Sequence, residues 1–264
     1  MQISGSTILL TGATGGLGQA IARALHGRGG ELILTGRRLE VLEPLAAELD
    51  GSRALAIDLS QPAEIDRLLA ELGDIDILVA NAALPASGTL DSFTMEEIDR
   101  ALNVNLRAPI ALAHALAPKM TARGRGHLLF MSSLSGKSAS PGTGIYNATK
   151  FGLRGFASAT RADLRDSGVG VSAVFPGFIR EAGMFADAEV KLPTGVGTSS
   201  PQDVARAVIS AIERNRAEVD VAPLTLRAGA TFAGIAPELA SRVARRLGAE
   251  GISKDMEHSQ RSKR

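Results

Sequence analysis

Short apolar runs alternate along this chain with longer stretches in which apolar residues recur every three or four positions. Thr7-Ile8-Leu9-Leu10 is the first run; Glu31–Thr35, Ser52–Ile57, Ile75–Ala80, His127–Met131 and Val169–Phe175 follow. Runs of this length without strict alternation suit strands buried on both faces. Between them lie helical patterns at 19–25, 39–49, 62–72, 94–104, 109–119 and 144–166; another at 201–214 precedes a last short strand, Glu218–Val221. This order predicts an α/β fold, with a doubly wound parallel β-sheet flanked by helices on both faces in three layers.

Local signals sharpen the boundaries. Pro62 and Pro109 sit where a helix tolerates proline, in its first turn. Thr94 with Glu97, and Ser200 with Asp203, stand at the capping-box spacing. Pro176-Gly177 stops the sixth strand. Pro109–Lys119 is almost wholly apolar and is expected to be buried, in the core or against a second subunit. With no repeat or linker, residues 1–222 read as one domain. Residues 223–252 read as a helical extension of it, and 253–264 as a polar, disordered tail. In the helix expected at Pro237–Leu247, Leu239, Val243 and Leu247 form a stripe, and Arg242, Arg245 and Arg246 lie off it. Such a helix packs on its own domain or a second subunit, or lies on an anionic membrane; the last is the less favoured reading.

Candidate chemistry begins after the first strand. Thr11-Gly12-Ala13-Thr14-Gly15-Gly16-Leu17-Gly18 separates it from the next helix. Strand, glycine loop and helix is the context that makes a glycine motif a phosphate site. Glycines allow close backbone approach, and the helix N-terminus offers free N–H groups. Gly12, Gly16 and Gly18 fit one family of spacings and Gly12, Gly15 and Gly18 another, so the loop alone does not choose. The second strand ends in Gly36-Arg37-Arg38, where an NAD enzyme would carry an acid for the ribose 2′-hydroxyl. Two arginines suit a 2′-phosphate instead, so NADP(H) is expected over NAD(H), with Arg37 the stronger candidate.

Tyr146 and Lys150 are four apart and share a helix face. A phenol has a free pKa of about 10. An ammonium about 4 Å away favours phenolate by roughly 4 kcal/mol at an effective dielectric near 20, which would bring the tyrosine near 7. That suits a general acid/base. Ser133 lies 13 residues upstream, at the end of the fifth strand, where ligands of such sheets gather.

Composition narrows the rest. Of 264 residues 45% are apolar, enough for a full core, and a net charge of +1 gives no pull toward nucleic acid. With no cysteine, disulfides and thiolate metal sites are excluded, and His26, His114, His127 and His258 lack ligand spacing, so no metal is expected. His114, in an apolar helix, reads as structural. No run reaches the roughly 20 apolar residues of a membrane span, and nothing resembles a signal peptide; a cytoplasmic protein is expected.

Taken together, the glycine loop, Asp58, Asn81-Ala82-Ala83, Asn105, Ser133, Tyr146 with Lys150 and Pro176-Gly177 resemble the short-chain dehydrogenase/reductase family over about residues 5–222. The likeness is to the subfamily with a Tyr-x-x-x-Lys site, and it settles the glycine spacing for that subfamily. It implies a Rossmann-type fold and an NAD(P)(H)-dependent oxidoreductase exchanging hydride with a carbonyl or secondary alcohol. It further implies Tyr146 as acid/base, Lys150 as its electrostatic partner and ribose anchor, and Ser133 as hydrogen-bond donor to the substrate oxygen. Asn105 would order a water leading from Lys150 to solvent. Ser132 is the alternative serine and Asn103 the alternative asparagine; the spacing favours Ser133, and the Asn-Leu-x-x-Pro context favours Asn105. The implied cofactor set is Gly12, Thr14, Gly15, Gly16, Leu17, Gly18, Arg37, Arg38, Asp58, Leu59, Asn81, Ala82, Tyr146, Lys150, Pro176, Gly177 and Ile179. Ala83 and Glu181 depart from the family pattern, as does the missing Asp-Gly-Gly after the last strand. A homodimer or homotetramer is expected, the tetramer being weakened by that last departure. Leu84, Leu134, Phe178, Met184, Phe185 and Leu192 suggest a hydrophobic substrate, and 180–197 reads as a lid. A non-catalytic dinucleotide-binding sensor or scaffold is the competing function, since fold does not fix activity.

Overall fold

The computed structural model describes residues 1–186, 197–246 and 258–260. Among the described residues the apolar runs become strands β1 (Thr7–Thr11), β2 (Glu31–Gly36), β3 (Arg53–Ala56), β4 (Ile77–Ala80), β5 (Gly126–Met131), β6 (Val169–Pro176) and β7 (Glu218–Val221). All pair in parallel in one sheet of order β3-β2-β1-β4-β5-β6-β7. Helices α1 (Gly16–His26), α2 (Leu39–Glu48), α3 (Pro62–Glu71), α4 (Met95–Leu102), α5 (Ala108–Ala122), α6 (Gly144–Asp163) and α7 (Pro201–Glu213) supply the crossovers. After β7 come α8 (Leu224–Ile235) and α9 (Pro237–Arg246).

Strand side chains point alternately to the two faces, so each strand feeds two cores. Ile8 and Leu10 of β1 join Ile21 and Leu25 of α1 and Val208 and Ile212 of α7 on one face. Leu9 joins Leu78, Phe130, Leu112 of α5 and Leu153 of α6 on the other. This double burial explains why the strands read as continuous apolar runs. The order reverses between β1 and β4, and the helices diverge there, leaving a crevice beyond the strand ends.

Both capping boxes form: Thr94 accepts from the Glu97 amide, and Ser200 from the Asp203 amide. The helix expected at 94–104 instead ends at Leu102 and passes into α5 through one π-helical turn, Asn103–Arg107. α5 buries only one face, through Pro109, Leu112, Ala113, Leu116 and Met120. Burial in the core accounts for that face alone, and His114, read as structural, is exposed on this chain. α8 had no counterpart in the sequence pattern beyond the general expectation of a helical extension. Within the stretch read as a tail, residues 258–260 form a helical turn.

His127 is the most constrained histidine. It lies fully buried on β5, with Nε2 2.9 Å from Ser172 Oγ. Gly170 is its parallel neighbour on β6, and a Cβ there would lie 2.4 Å from His127 Nδ1. Burial, with lesser contributions from the N-terminal ammonium and Arg161, pushes the imidazole down to about 3. An unfolded histidine titrates near 6.5, so between these values the unfolded chain binds the extra proton. Stability conferred by the neutral ring is complete above about pH 6.5 and declines as pH falls through the window, by at most about 1.4 kcal/mol per unit. Denaturant melts of wild type and His127→Gln between pH 7 and 5 are expected to show this slope only in wild type; equal slopes would refute the assignment.

Candidate active site

The crevice is a cleft of about 1400 Å³ running from the glycine loop across the ends of β1, β4, β5 and β6 to α8. At its first end, Gly12 has φ +70°, and a Cβ there would fall 2.7 Å from Ala82 Cα. A Cβ at Gly18 would fall 2.2 Å from the Gly12 carbonyl oxygen. Gly16 is also crowded, with a Cβ 2.7 Å from that of Ala182, whereas one at Gly15 would touch only Gly12 O at 3.8 Å. The glycines that sterics require are thus Gly12, Gly16 and Gly18. Gly15 caps α1, whose first turn has neither an acidic residue nor a side-chain cap. Its N–H groups remain available for an anion.

Side chains brace this loop from both sides. Asn81 Nδ2 donates to Thr11 O at 3.0 Å and Gly12 O at 3.3 Å, and Thr11 Oγ1 accepts from the amides of Asn81 and Ala82, both at 3.0 Å. Arg38 Nη2 donates to Thr14 O at 3.1 Å. Arg37 is exposed on the cleft wall and, among the described residues, makes no side-chain hydrogen bond or ion pair. Asp58 Oδ1 accepts from Ser60 N at 3.0 Å and Ser60 Oγ at 2.8 Å. Burial would raise this carboxyl, but the Ser60 hydrogen bonds and the charges of Arg37 and Arg100 outweigh it and hold the group below its ordinary value. Leu59 lines the same stretch, and so does Arg100 of α4, which sequence reasoning missed. Ordinary helix periodicity explains Arg100 as a solvent-facing residue, so no local pattern marks it.

At the middle of the cleft, β5 delivers Ser132 and Ser133. Ser132 Oγ donates to Lys150 O at 3.1 Å, binding the strand end to α6. Ser133 and Tyr146 both line the cleft; Ser133 Oγ donates to Pro176 O at 3.4 Å and accepts from Ser135 N at 3.1 Å. Lys150 is almost fully buried, and its Nζ donates to Met131 O at 2.9 Å. Nζ lies 5.6 Å from the Tyr146 ring centroid. Burial lowers this lysine to about 8, while burial pushes the Tyr146 phenol up to about 12 against the opposing hydrogen bond from Ser133. The electrostatic expectation of a tyrosine near 7 is therefore corrected. The amine is engaged by a backbone carbonyl, and desolvation dominates the phenol.

Asn105 occupies a different place from the other candidates. It is fully buried in the π-helical turn, where Oδ1 accepts from Leu84 N at 2.6 Å and Nδ2 donates to Leu84 O at 2.9 Å. It stands behind the cleft wall and fixes Leu84, which lines it. Asn147, not anticipated, is buried and donates to Ser135 O at 2.6 Å and Ser138 O at 3.1 Å, holding the loop that precedes α6.

The far end of the cleft is apolar. Pro176, Gly177 and Ile179 lead into it, with Gly177 N donating to Val221 O at 3.0 Å. Leu84, Leu134, Phe178, Met184 and Phe185 all line it, and the Phe178 and Phe185 rings pack with centroids 4.9 Å apart at a 55° tilt. Leu192 and most of the expected lid lie outside the described residues. The remaining wall, missed from sequence, comes from Leu226, Ala230, Phe232 and Ala233 of α8 and from Gln260. Gln260 is buried, and its Nε2 donates to Met184 O at 3.0 Å. Ala83 lines the cleft, and Glu181, at φ +70°, is exposed and paired with Arg180 at 2.9 Å.

Comparison with known proteins agrees with this arrangement. The short chain dehydrogenase family model matches residues 6–192. The ketoacyl reductase HetN of Nostoc sp. is 35% identical over 227 residues, covering 83% of this chain and 79% of the relative. The 3-oxoacyl-[acyl-carrier-protein] reductase FabG of Rickettsia bellii is 32% identical over 216 residues, covering 79% and 89%. A solved short-chain dehydrogenase from Sphingobium yanoikuyae in complex with NADPH superposes with a TM-score of 0.77 at 29% identity, covering 89% of this chain and 95% of that one. A parallel sheet whose strand order reverses at a glycine-lined crevice, with serine, tyrosine and lysine on one wall, thus has its place among known proteins: the chain belongs to the short chain dehydrogenase family and is an NAD(P)-dependent oxidoreductase.

Proposed function

We propose that this chain uses NADP(H) in preference to NAD(H) and reduces a carbonyl carried on a hydrophobic body. The observation that carries the reading is the cleft itself. Its one end is a glycine cradle with Arg37 exposed beside it, its middle brings Ser133, Tyr146 and Lys150 together, and its far end is apolar.

The residues fit a dinucleotide. Gly12 packs against the Ala82 backbone and Gly18 against the Gly12 carbonyl, so the loop presents bare main chain beside the α1 N-terminus. The α1 N-terminus suits the pyrophosphate, Asp58 and Leu59 the adenine, and Arg37 a 2′-phosphate. Asn81 and Ala82 border the adenosine ribose side, and Pro176, Gly177 and Ile179 the nicotinamide side. When bound, NADP(H) supplies the hydride. Tyr146 then donates its phenolic proton to the carbonyl oxygen, and Ser133 donates a hydrogen bond to that oxygen as charge develops. With its pKa pushed up to about 12, the phenol carries its proton at neutral pH, which is the form reduction needs. Lys150 holds the local geometry through Met131 and contributes positive charge below about pH 8. Asn105 acts as a positioning residue through Leu84. The NADPH complex of the Sphingobium relative supports the cofactor choice. A sensor or scaffold would need the cradle but not this proton-donating wall, so turnover discriminates the two readings. A homodimer or homotetramer is proposed on the same basis, with the exposed Phe151 of α6 as a surface a partner would cover.

Tyr146→Phe is expected to lower kcat/KM for NADPH-dependent ketone reduction by about 10²–10⁴-fold while leaving NADPH affinity nearly unchanged. Survival of turnover in that variant would remove the tyrosine from its role. Arg37→Ala should weaken NADPH by roughly ten- to a hundred-fold, the worth of a charge-assisted pair, and leave NADH unchanged in fluorescence titrations. Arg38→Ala should weaken both, because Arg38 supports the loop. The reduction rate should stay level from about pH 6 to 8 and fall above it as Lys150 gives up its proton. A rate climbing steadily to pH 9 would contradict an acid role for the phenol.

A further inference from the structure

α8 forms the cleft wall with Leu226, Ala230 and Ala233, and most of its other positions are exposed among the described residues. Nine of its twelve positions are exposed, yet Arg227 is its one charged residue. Leu224 is 76% exposed, Phe232 42% and Ile235 79%, and Leu239 at the start of α9 is 52% exposed. On α8, positions 224, 228, 232 and 235 fall on one side. A solvent-facing helix ordinarily carries charge there. Single exposed leucines need no explanation, but half of the eight large hydrophobics exposed among the described residues fall within these sixteen positions, and a cluster of that kind marks an interaction surface.

Two further observations say what covers it. Residues 224–246 contain Arg227, Arg242, Arg245 and Arg246 against Glu238, a charge of +3 on a chain whose total is +1. Phe232 is both exposed and part of the cleft wall, so the outer face and the apolar end of the cleft meet at its ring. A second copy related by a two-fold axis would bring the same +3 segment against itself, whereas anionic lipid complements it.

We propose that the α8–α9 face docks on an anionic membrane surface, with Leu224, Ile235 and Leu239 entering the interface and the apolar end of the cleft opening toward the lipid. Docking stands on the surface alone. Its use for loading a lipid-dissolved ketone rests on the carbonyl-reduction reading above.

The test is flotation of the purified full chain with phosphatidylcholine vesicles with and without phosphatidylserine. The chain should float with the anionic vesicles, less so at high salt, and the Leu224→Ser/Ile235→Ser/Leu239→Ser variant should lose at least about ten-fold in bound fraction. None of the three lines the cleft, so NADPH-dependent reduction of a water-soluble ketone should be unchanged and serves as the folding control. Failure of the wild-type chain to float, or undiminished flotation of the variant, would overturn the proposal. So would a wild-type oligomer that the triple substitution dissociates without any vesicle binding, which would assign the face to self-association. Loss of ketone reduction in the wild type would count against the reductase reading and not against docking.

Discussion

Two hydrogen bonds at the end of β5 set the rest of the site: Lys150 Nζ to Met131 O and Ser132 Oγ to Lys150 O. They lock one turn of α6 onto one strand end, and every other relation in the middle of the cleft follows from that junction. Ser133 is the next residue along the strand, and Tyr146 is one turn back along the helix, so the pair is brought together by backbone geometry. The junction is tight. A Cβ at Gly136 would sit 2.6 Å from Ser132 Oγ and 2.7 Å from Lys150 O, so the loop that follows β5 can cross there only because position 136 lacks a side chain. Asn147 then holds that loop by its carbonyls at Ser135 and Ser138. Burying a lysine is costly, and a backbone carbonyl is a weaker partner than a carboxylate. The lowered Lys150 pKa is the sign of that cost.

The second junction is at the reversal of the sheet. β1 and β4 are neighbours whose following helices go to opposite faces, so neither helix covers the gap between their ends. Thr11 and Asn81 close the gap from below, through four hydrogen bonds that hold the Gly12 backbone against Ala82. The result is a floor made of main chain, which a flat phosphate-bearing ligand can approach closely. Asp58 and Arg37 extend it along β3 and β2. One cleft therefore spans both junctions, and a ligand long enough to reach from Arg37 to Tyr146 bridges the two halves of the sheet.

Much of this was legible beforehand because burial on both faces leaves a strong trace. Leu9 and Leu10 face opposite cores, and both must be apolar. The glycine loop, the Ser133–Tyr146 spacing and the arginines after β2 carry their chemistry in residue type. What was not legible depends on distances that spacing does not encode. The i, i+4 relation places Tyr146 and Lys150 on one face, but whether the ammonium reaches the phenol oxygen depends on the side-chain torsions, and Met131 O captures it instead. The π-helical turn that sends Asn105 toward Leu84 reads in sequence as plain helix. α8 hid because Gly229, Gly234, Thr225 and Thr231 are poor helix formers and its apolar residues line two sides, one in the cleft and one outside. Gln260 reaches Met184 from 76 positions away, and nothing local announces it.

The proton inventory bears on direction. At pH 7 a phenol pushed up by burial and an ammonium near 8 both hold their protons, which is the form the proposed reduction uses. Delivering the phenolic proton to a carbonyl oxygen needs no prior ionisation. The reverse reaction begins with phenolate, and forming that costs about 1.4 kcal/mol for every unit by which the phenol lies above the working pH. Lys150 Nζ is held by Met131 O, 5.6 Å from the ring centroid. The desolvation that raises Tyr146 and the apolar far end of the cleft belong to one environment.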